Sequence, residues 1–206
     1  MKAHNLNQYY QVNVNHLLST RLDVDVSKDF FEKIVFHGTA YNALSTLASS
    51  TSSTFTVTGS YGTGKSTLAA ILTGYIHSNN EVRGAVKKLI NDSELDTKLE
   101  KVFCTKDINT KPWLVIKAVA GVVEPITLLR KAILNAVEIA GLLNYLKKNI
   151  DIETDVKNEE QLLSFIINIF NCLKEKISGT LFILDEMGKL LETFARNSGN
   201  LHFFQD

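Results

Sequence analysis

The sequence has little of two things that would narrow its function at once, namely net charge and cysteine. Its 206 residues carry 22 lysines and arginines against 22 aspartates and glutamates. The whole chain therefore has no excess of positive charge for nucleic acid, so net charge does not support such a partner and only a local patch would serve. The two cysteines, Cys104 and Cys172, lack the spacing of metal ligands, and we interpret them as buried free thiols.

Long apolar stretches are missing as well. The longest ones, such as residues 162–170, fall short of a membrane span and contain Asn168. The first twenty residues are polar and rich in asparagine, unlike a secretory signal. We therefore expect a cytoplasmic protein with no membrane partner. Its length and ordinary composition, with 45% hydrophobic and 21% charged residues, suit one α/β domain.

The most informative stretch is Gly59 to Ser66, which matches the phosphate-loop pattern G-x-x-x-x-G-K-[ST] at every fixed position. Residues 54–58 before it are β-branched or aromatic and predict a buried strand. Residues 66–77 after it have apolar side chains at helical spacing. Strand, loop and helix thus follow in the order that a nucleotide site needs. We predict that the nucleotide is bound by Gly59, Ser60, Tyr61, Gly62, Thr63, Gly64, Lys65, Ser66 and Thr67.

Each fixed residue of this loop has a chemical reason. Gly59 and Gly64 allow backbone angles closed to other residues and a close approach to a phosphate. The loop N–H groups converge on the phosphate at the positive end of the following helix. Lys65 can reach the β- and γ-oxygens, and the Ser66 hydroxyl can bind Mg²⁺.

A second motif lies at residues 181–186, where four apolar residues are followed by Asp185 and Glu186. A strand ending here would deliver Asp185 beside the phosphate loop, where its carboxylate can hold the hydration shell of Mg²⁺. Glu186 can then orient the attacking water or accept its proton. We predict Ser66 and Asp185 as metal ligands, and Glu186 and Lys65 as catalytic residues. The adjacent glutamate indicates ATP hydrolysis, and the missing N-K-x-D pattern disfavours GTP.

The remaining pattern predicts alternating helices and strands. Strands at 54–58, 113–120 and 180–184 would form a mostly parallel sheet in a three-layer α/β phosphate-loop domain, with helices on both faces. Residues 1–50 would be an N-terminal α-rich arm leading into this core of residues 51–206. Caps are predicted at Ser27, at Thr39, and at Asp92 or Ser93, and a long helix is predicted to begin at Thr127. Residues 36–41 are a candidate adenine contact, through His37 or Tyr41, although core packing explains both residues as well.

The two motifs resemble those of the AAA+/STAND-like (ASCE) branch of phosphate-loop ATPases, over residues 30–206. More narrowly, residues 58–69, 113–121, 181–192 and 201–206 are similar to large bacterial ATPases of uncertain function, some of which are linked to phage defence. The resemblance implies ATP and Mg²⁺ as ligands, further domains of the same protein as partners, and a homo-oligomer as one form of assembly. Any link to DNA is likewise implied only by the resemblance.

ATPases of this branch have a further strand after the acidic pair, with a residue that senses the γ-phosphate, and an arginine near the phosphates. Only twenty residues follow Glu186, and they predict a helix from about Met187 to Ala195, a turn, and a helix start capped by Asn200. We therefore expect the ATPase core to be truncated at its C-terminus. Arg196 is interpreted as a solvated charge at a helix end rather than as an arginine finger. Lys189 is a candidate to face the nucleotide or a neighbouring subunit.

Two other functions fit the motifs. The first is a nucleotide-gated binding module in which ATP reorganises a partner surface with negligible turnover. The second is a phosphotransferase, for which an arginine-rich lid would be expected. The chain has only four scattered arginines, at positions 21, 83, 130 and 196, so the phosphotransferase ranks last.

Overall fold

The computed structural model describes residues 22, 26–60, 62–103, 108, 110–120 and 123–196. Within these residues the chain is mixed, with nine helices around two strands. The elements in chain order are α1 (Lys28–Lys33), α2 (Gly38–Ser49), α3 (Lys65–Tyr75), α4 (Asn80–Ile90), α5 (Ser93–Phe103), β1 (Trp113–Val119), α6 (Pro125–Ile139), α7 (Leu143–Asn149), α8 (Glu159–Leu173), β2 (Gly179–Asp185) and α9 (Met187–Arg196).

The two strands form a parallel pair. Trp113 lies opposite Gly179 at one end of the ladder, and Val119 lies opposite Asp185 at the other. This confirms the predicted strands at 113–120 and 180–184 within one residue at each end. Because the strands are parallel, the connection between them must cross over, and α6, α7 and α8 supply that crossover. Both carboxyl ends therefore lie at the same edge of the sheet.

Helices pack on both faces of β1, because alternate residues of this strand belong to different hydrophobic clusters. Leu114, Ile116 and Ala118 are fully buried against a cluster built largely from α6, α7 and α8. Trp113 and Val115 pack against the other cluster, which α1 to α5 supply. The side chains of a strand point alternately to opposite faces, so β1 is the element on which both clusters rest.

The predicted helix starts are partly right. Ser27 caps α1, with its Oγ accepting from the Phe30 N–H at 3.3 Å, and Asp92 caps α5, with its Oδ1 accepting from the Leu95 N–H at 2.8 Å. Thr39 is not a cap, and the helix predicted to begin at Thr127 begins two residues earlier, at Pro125. The cap position of α2 is His37, which makes no side-chain bond to the helix, and α6 is capped by Glu124.

The predicted strand at 54–58 is wrong. These residues have no regular secondary structure, and Phe55 and Val57 are 40% and 52% exposed. A β-branched, aromatic run becomes a strand only where another strand accepts its backbone hydrogen bonds and its side chains are covered. Among the described residues the sheet consists of β1 and β2 alone, so neither condition is met for this run.

The other expectations on the surroundings of the core have mixed outcomes. Cys172 is a free thiol, half-buried rather than buried, whereas Cys104, Asn200 and residues 1–21 lie outside the described part. Among the described helices, none combines the length and the apolar character that crossing a bilayer would require.

Candidate functional site

The glycine-rich loop enters α3 through two left-handed backbone turns. Gly62 has a φ of 81° and Gly64, at the cap position of α3, a φ of 85°. Side-chain-bearing residues rarely adopt such angles, so the glycines at these two positions are required by the path of the loop. The path aims the first N–H groups of α3, which have no partner within the helix, back toward the loop. This is the backbone arrangement that favours an anion.

The Lys65 side chain folds back over this loop. Its ammonium donates to the Gly59 carbonyl at 2.9 Å and to the Ser60 carbonyl at 2.8 Å. The Thr63 hydroxyl closes the same turn by donating to the Ser60 carbonyl at 2.9 Å. A flexible lysine held only by two carbonyls of an exposed turn can exchange them for phosphate oxygens, which bind an ammonium more strongly because they are charged.

The two sequence motifs meet at Ser66 and Asp185. The Ser66 hydroxyl, in the first turn of α3, donates to Asp185 Oδ2 at 3.3 Å, although 119 positions separate the two residues in the chain. Asp185 is the last residue of β2, and its carbonyl accepts from the Ala120 N–H at 3.1 Å, beyond the end of β1. Strand pairing therefore holds the carboxylate at the carboxyl edge of the sheet, directly beside the phosphate loop.

Glu186 follows in an unusual backbone conformation. Its φ is 58°, in the left-handed region that residues other than glycine seldom occupy. Its N–H donates to Asp185 Oδ1 at 2.9 Å, and its carbonyl accepts from the Lys189 N–H at 2.8 Å. The carboxylate is half-exposed, and its Oε2 lies 3.3 Å from Lys189 Nζ. The structure thus presents Glu186 at the surface, one residue beyond the carboxylate that reaches Ser66.

Two oxygens of different motifs are available to a divalent cation here. A serine hydroxyl and one carboxylate suit Mg²⁺, which prefers oxygen ligands, keeps several of its waters and takes others from substrate phosphates. Ser66 Oγ and Asp185 Oδ2 lie 3.3 Å apart, close enough that both would hold the same ion. No group of three or more histidine, cysteine, aspartate or glutamate side chains with metal-site geometry occurs in the described part of the chain.

The structure adds less about the other residues that were predicted to contact the nucleotide. Tyr61 lies outside the described residues, and Thr67 lies half-buried in the first turn of α3. Tyr41 packs edge-on against Phe36 and donates its hydroxyl to Asp92 Oδ2 at 3.3 Å, and this bond ties α2 to the start of α5. The core-packing alternative therefore accounts for Tyr41 without a base.

Sequence reasoning did not anticipate the polar network that holds the far end of α3. The buried Tyr75 donates its hydroxyl to Asp96 Oδ1 at 2.6 Å, and Lys87 bridges Asp96 and Glu100 at 3.2 and 2.6 Å. Burial and the neighbouring Asp96 raise the pKa of Tyr75 well above its usual range. Burial alone would lower the pKa of Lys87, but its bonds to Glu100 and Asp96 outweigh that effect and raise it.

No sequence signal could have found this network, because its members come from three different helices. It matters for the site because α3 carries Lys65 and Ser66 at one end and Tyr75 at the other. The network therefore ties α3, the helix that follows the phosphate loop, to α4 and α5.

A separate cavity of about 500 Å³ lies at the amino ends of the strands. It is lined by Lys111 and Pro112, just before β1, and by Glu175 and Lys176, just before β2. Each strand spans seven residues, so this cavity is at the edge of the sheet opposite Asp185. It is not part of the candidate nucleotide site.

Comparison of the chain with protein-family models, with curated proteins and with solved structures yields no match.

Proposed function

We propose that this chain is the nucleotide-binding module of a Mg²⁺-dependent ATPase with a three-layer phosphate-loop core. The observation that carries the proposal is the contact between Ser66 and Asp185 across 119 positions. A glycine-rich turn and an acidic strand end are each common, but here the hydroxyl of one meets the carboxylate of the other. That juxtaposition is what magnesium-assisted phosphate chemistry needs.

In this proposal the loop N–H groups and Lys65 bind the phosphates. Lys65 leaves the carbonyls of Gly59 and Ser60 and donates to the β- and γ-oxygens, where it offsets negative charge. Ser66 and Asp185 hold Mg²⁺, which when bound neutralises charge on the phosphate oxygens. Glu186 accepts a proton from the water that attacks the γ-phosphorus as the bond from that phosphorus to the bridging oxygen breaks.

The first test is calorimetric ATP binding to the full chain, with Mg²⁺ and with a chelator. We expect Mg²⁺-dependent binding that Lys65→Ala weakens about 10- to 100-fold, the loss expected for charge-assisted hydrogen bonds to phosphate. The matched control is Lys88→Ala, because Lys88 is an exposed lysine on α4 that forms no part of the loop. Equal affinities for the unaltered chain and the Lys65→Ala variant would refute the proposed site.

The second test separates hydrolysis from binding. Glu186→Gln keeps the size of the side chain and removes the proton acceptor, so ATP should stay bound while turnover falls about 10²- to 10⁴-fold. Tight binding by the unaltered chain with negligible turnover would instead favour the nucleotide-gated binding module. ATP hydrolysis that Glu186→Gln leaves unchanged would contradict the role given to this carboxylate.

A further inference from the structure

Glu186 occupies a turn that is held from both sides. Its left-handed φ of 58° is costly for a residue with a side chain, and a glycine would adopt it freely. The turn persists because the Glu186 N–H donates to Asp185 Oδ1 and the Glu186 carbonyl accepts hydrogen bonds from N–H groups in the first turn of α9. Leu190, which donates to that carbonyl at 3.3 Å, is almost fully buried and anchors the helix. The backbone of Glu186 is thus fixed, whereas its long side chain is not.

The side chain is restrained by Lys189 instead. Lys189 Nζ lies 3.3 Å from Glu186 Oε2, and both side chains are exposed, at 62% and 46%. Such an exposed pair contributes little to stability. Lys189 also stands in the first turn of α9, where the helix dipole favours carboxylates over ammonium groups. Stability therefore gives no good reason for a lysine at this position.

We propose that Lys189 is a positioning residue for Glu186 in ATP hydrolysis. This inference rests on the proposed function. The ammonium binds one carboxylate oxygen, Oε2, and leaves Oε1 to accept the proton of the attacking water. It also restricts the rotamers of the glutamate, so the free oxygen stays at one place relative to Asp185. In many active sites a third group likewise binds the general base and orients it.

The test is the steady-state turnover of Mg·ATP by the full chain and by two variants of Lys189. The Lys189→Met variant, which keeps the aliphatic stem and removes the charge, should lower kcat about two- to fivefold with little change in KM, as expected for an exposed ion pair. Lys189→Arg retains a donor and should keep most of kcat. The matched control is Lys28→Met, which breaks another exposed pair, with Glu32 on α1, and should change neither constant.

A second measurement tells a positioning role from direct nucleotide contact. In the Glu186→Gln background, Lys189→Met should leave the affinity for Mg·ATP unchanged, because the residue through which Lys189 acts is already neutral. An unchanged or raised kcat in Lys189→Met, or an affinity that falls in both backgrounds, would overturn the inference while the proposed function stands. A chain that binds Mg·ATP but never turns it over refutes hydrolysis and this inference together.

Discussion

Two glycines of neighbouring helices should respond in opposite ways to the same substitution. Gly74 lies near the end of α3 and is buried, whereas Gly84 lies exposed in the middle of α4. A methyl group at Gly74 would come within 2.6 Å of Phe31 Cε2 and 2.8 Å of Val86 Cγ2, distances at which something must move. At Gly84 it would meet nothing within 4 Å.

The sizes of the two effects follow from this difference. Both Gly→Ala changes gain about 0.5–1 kcal/mol of helix stability, because glycine loses more backbone freedom than alanine. Only Gly74→Ala also forces an extra methyl group into a filled core, and this packing penalty lowers the free energy of unfolding by about 1–3 kcal/mol. We therefore expect Gly84→Ala to raise the free energy of unfolding and Gly74→Ala to lower it. Because the helix gain is shared, the difference between the variants equals the packing penalty.

Chemical denaturation of both variants, followed by circular dichroism, measures that difference. The Phe31→Leu background supplies a check, since a smaller side chain at position 31 should shrink the penalty of Gly74→Ala. If Gly74→Ala stabilised the chain as much as Gly84→Ala, then Phe31 and Val86 would not pack against Gly74 as the structure has them.

Two further predictions concern the scaffold. The pKa of Asp92 is lowered chiefly by the hydrogen bond that its carboxylate accepts from the Leu95 N–H. The ionised carboxylate therefore stabilises the fold at pH values above the ordinary carboxyl pKa, and this stabilisation is lost as the pH falls through the lowered pKa of Asp92. Asp92→Ala should therefore lower the free energy of unfolding at pH 7, and the loss should become smaller in acid. Chemical denaturation at several pH values measures this loss, and a loss that is the same at every pH would refute the prediction. Arg130 donates to the Ile152 carbonyl at 2.7 Å, and its guanidinium lies 5.5 Å from the centre of the Phe165 ring. Arg130→Met should therefore lower the free energy of unfolding by about 1–3 kcal/mol in the same assay. An unchanged free energy of unfolding would contradict these contacts.

Much of the local structure could be predicted because it depends on neighbours in the chain. The caps at Ser27 and Asp92 are examples, since each side chain bonds an N–H three residues ahead. The strand at 113–120 was predicted from its continuous apolar character, and the strand at 180–184 from the four apolar residues before Asp185; the structure has them at Trp113–Val119 and Gly179–Asp185. The residues of the candidate site were likewise found from fixed spacings in two motifs.

What the sequence could not determine is which segments find a partner. Residues 54–58 have the same strand-forming character as β1, yet they are exposed, because strand formation depends on a neighbour that the segment itself does not encode. The same limit applies to Gly74 and Gly84, which look alike in the sequence and differ only through Phe31 and Val86.

The site shows the same division. The sequence by itself determined which residues are candidates for the site, since Lys65, Ser66, Asp185 and Glu186 are recognisable from residue type and spacing. Only the tertiary structure decided that Ser66 meets Asp185 and that Lys189 reaches Glu186 across a left-handed turn. Residue types specify which interactions a chain is able to make, whereas distances between remote residues depend on how helices and strands pack.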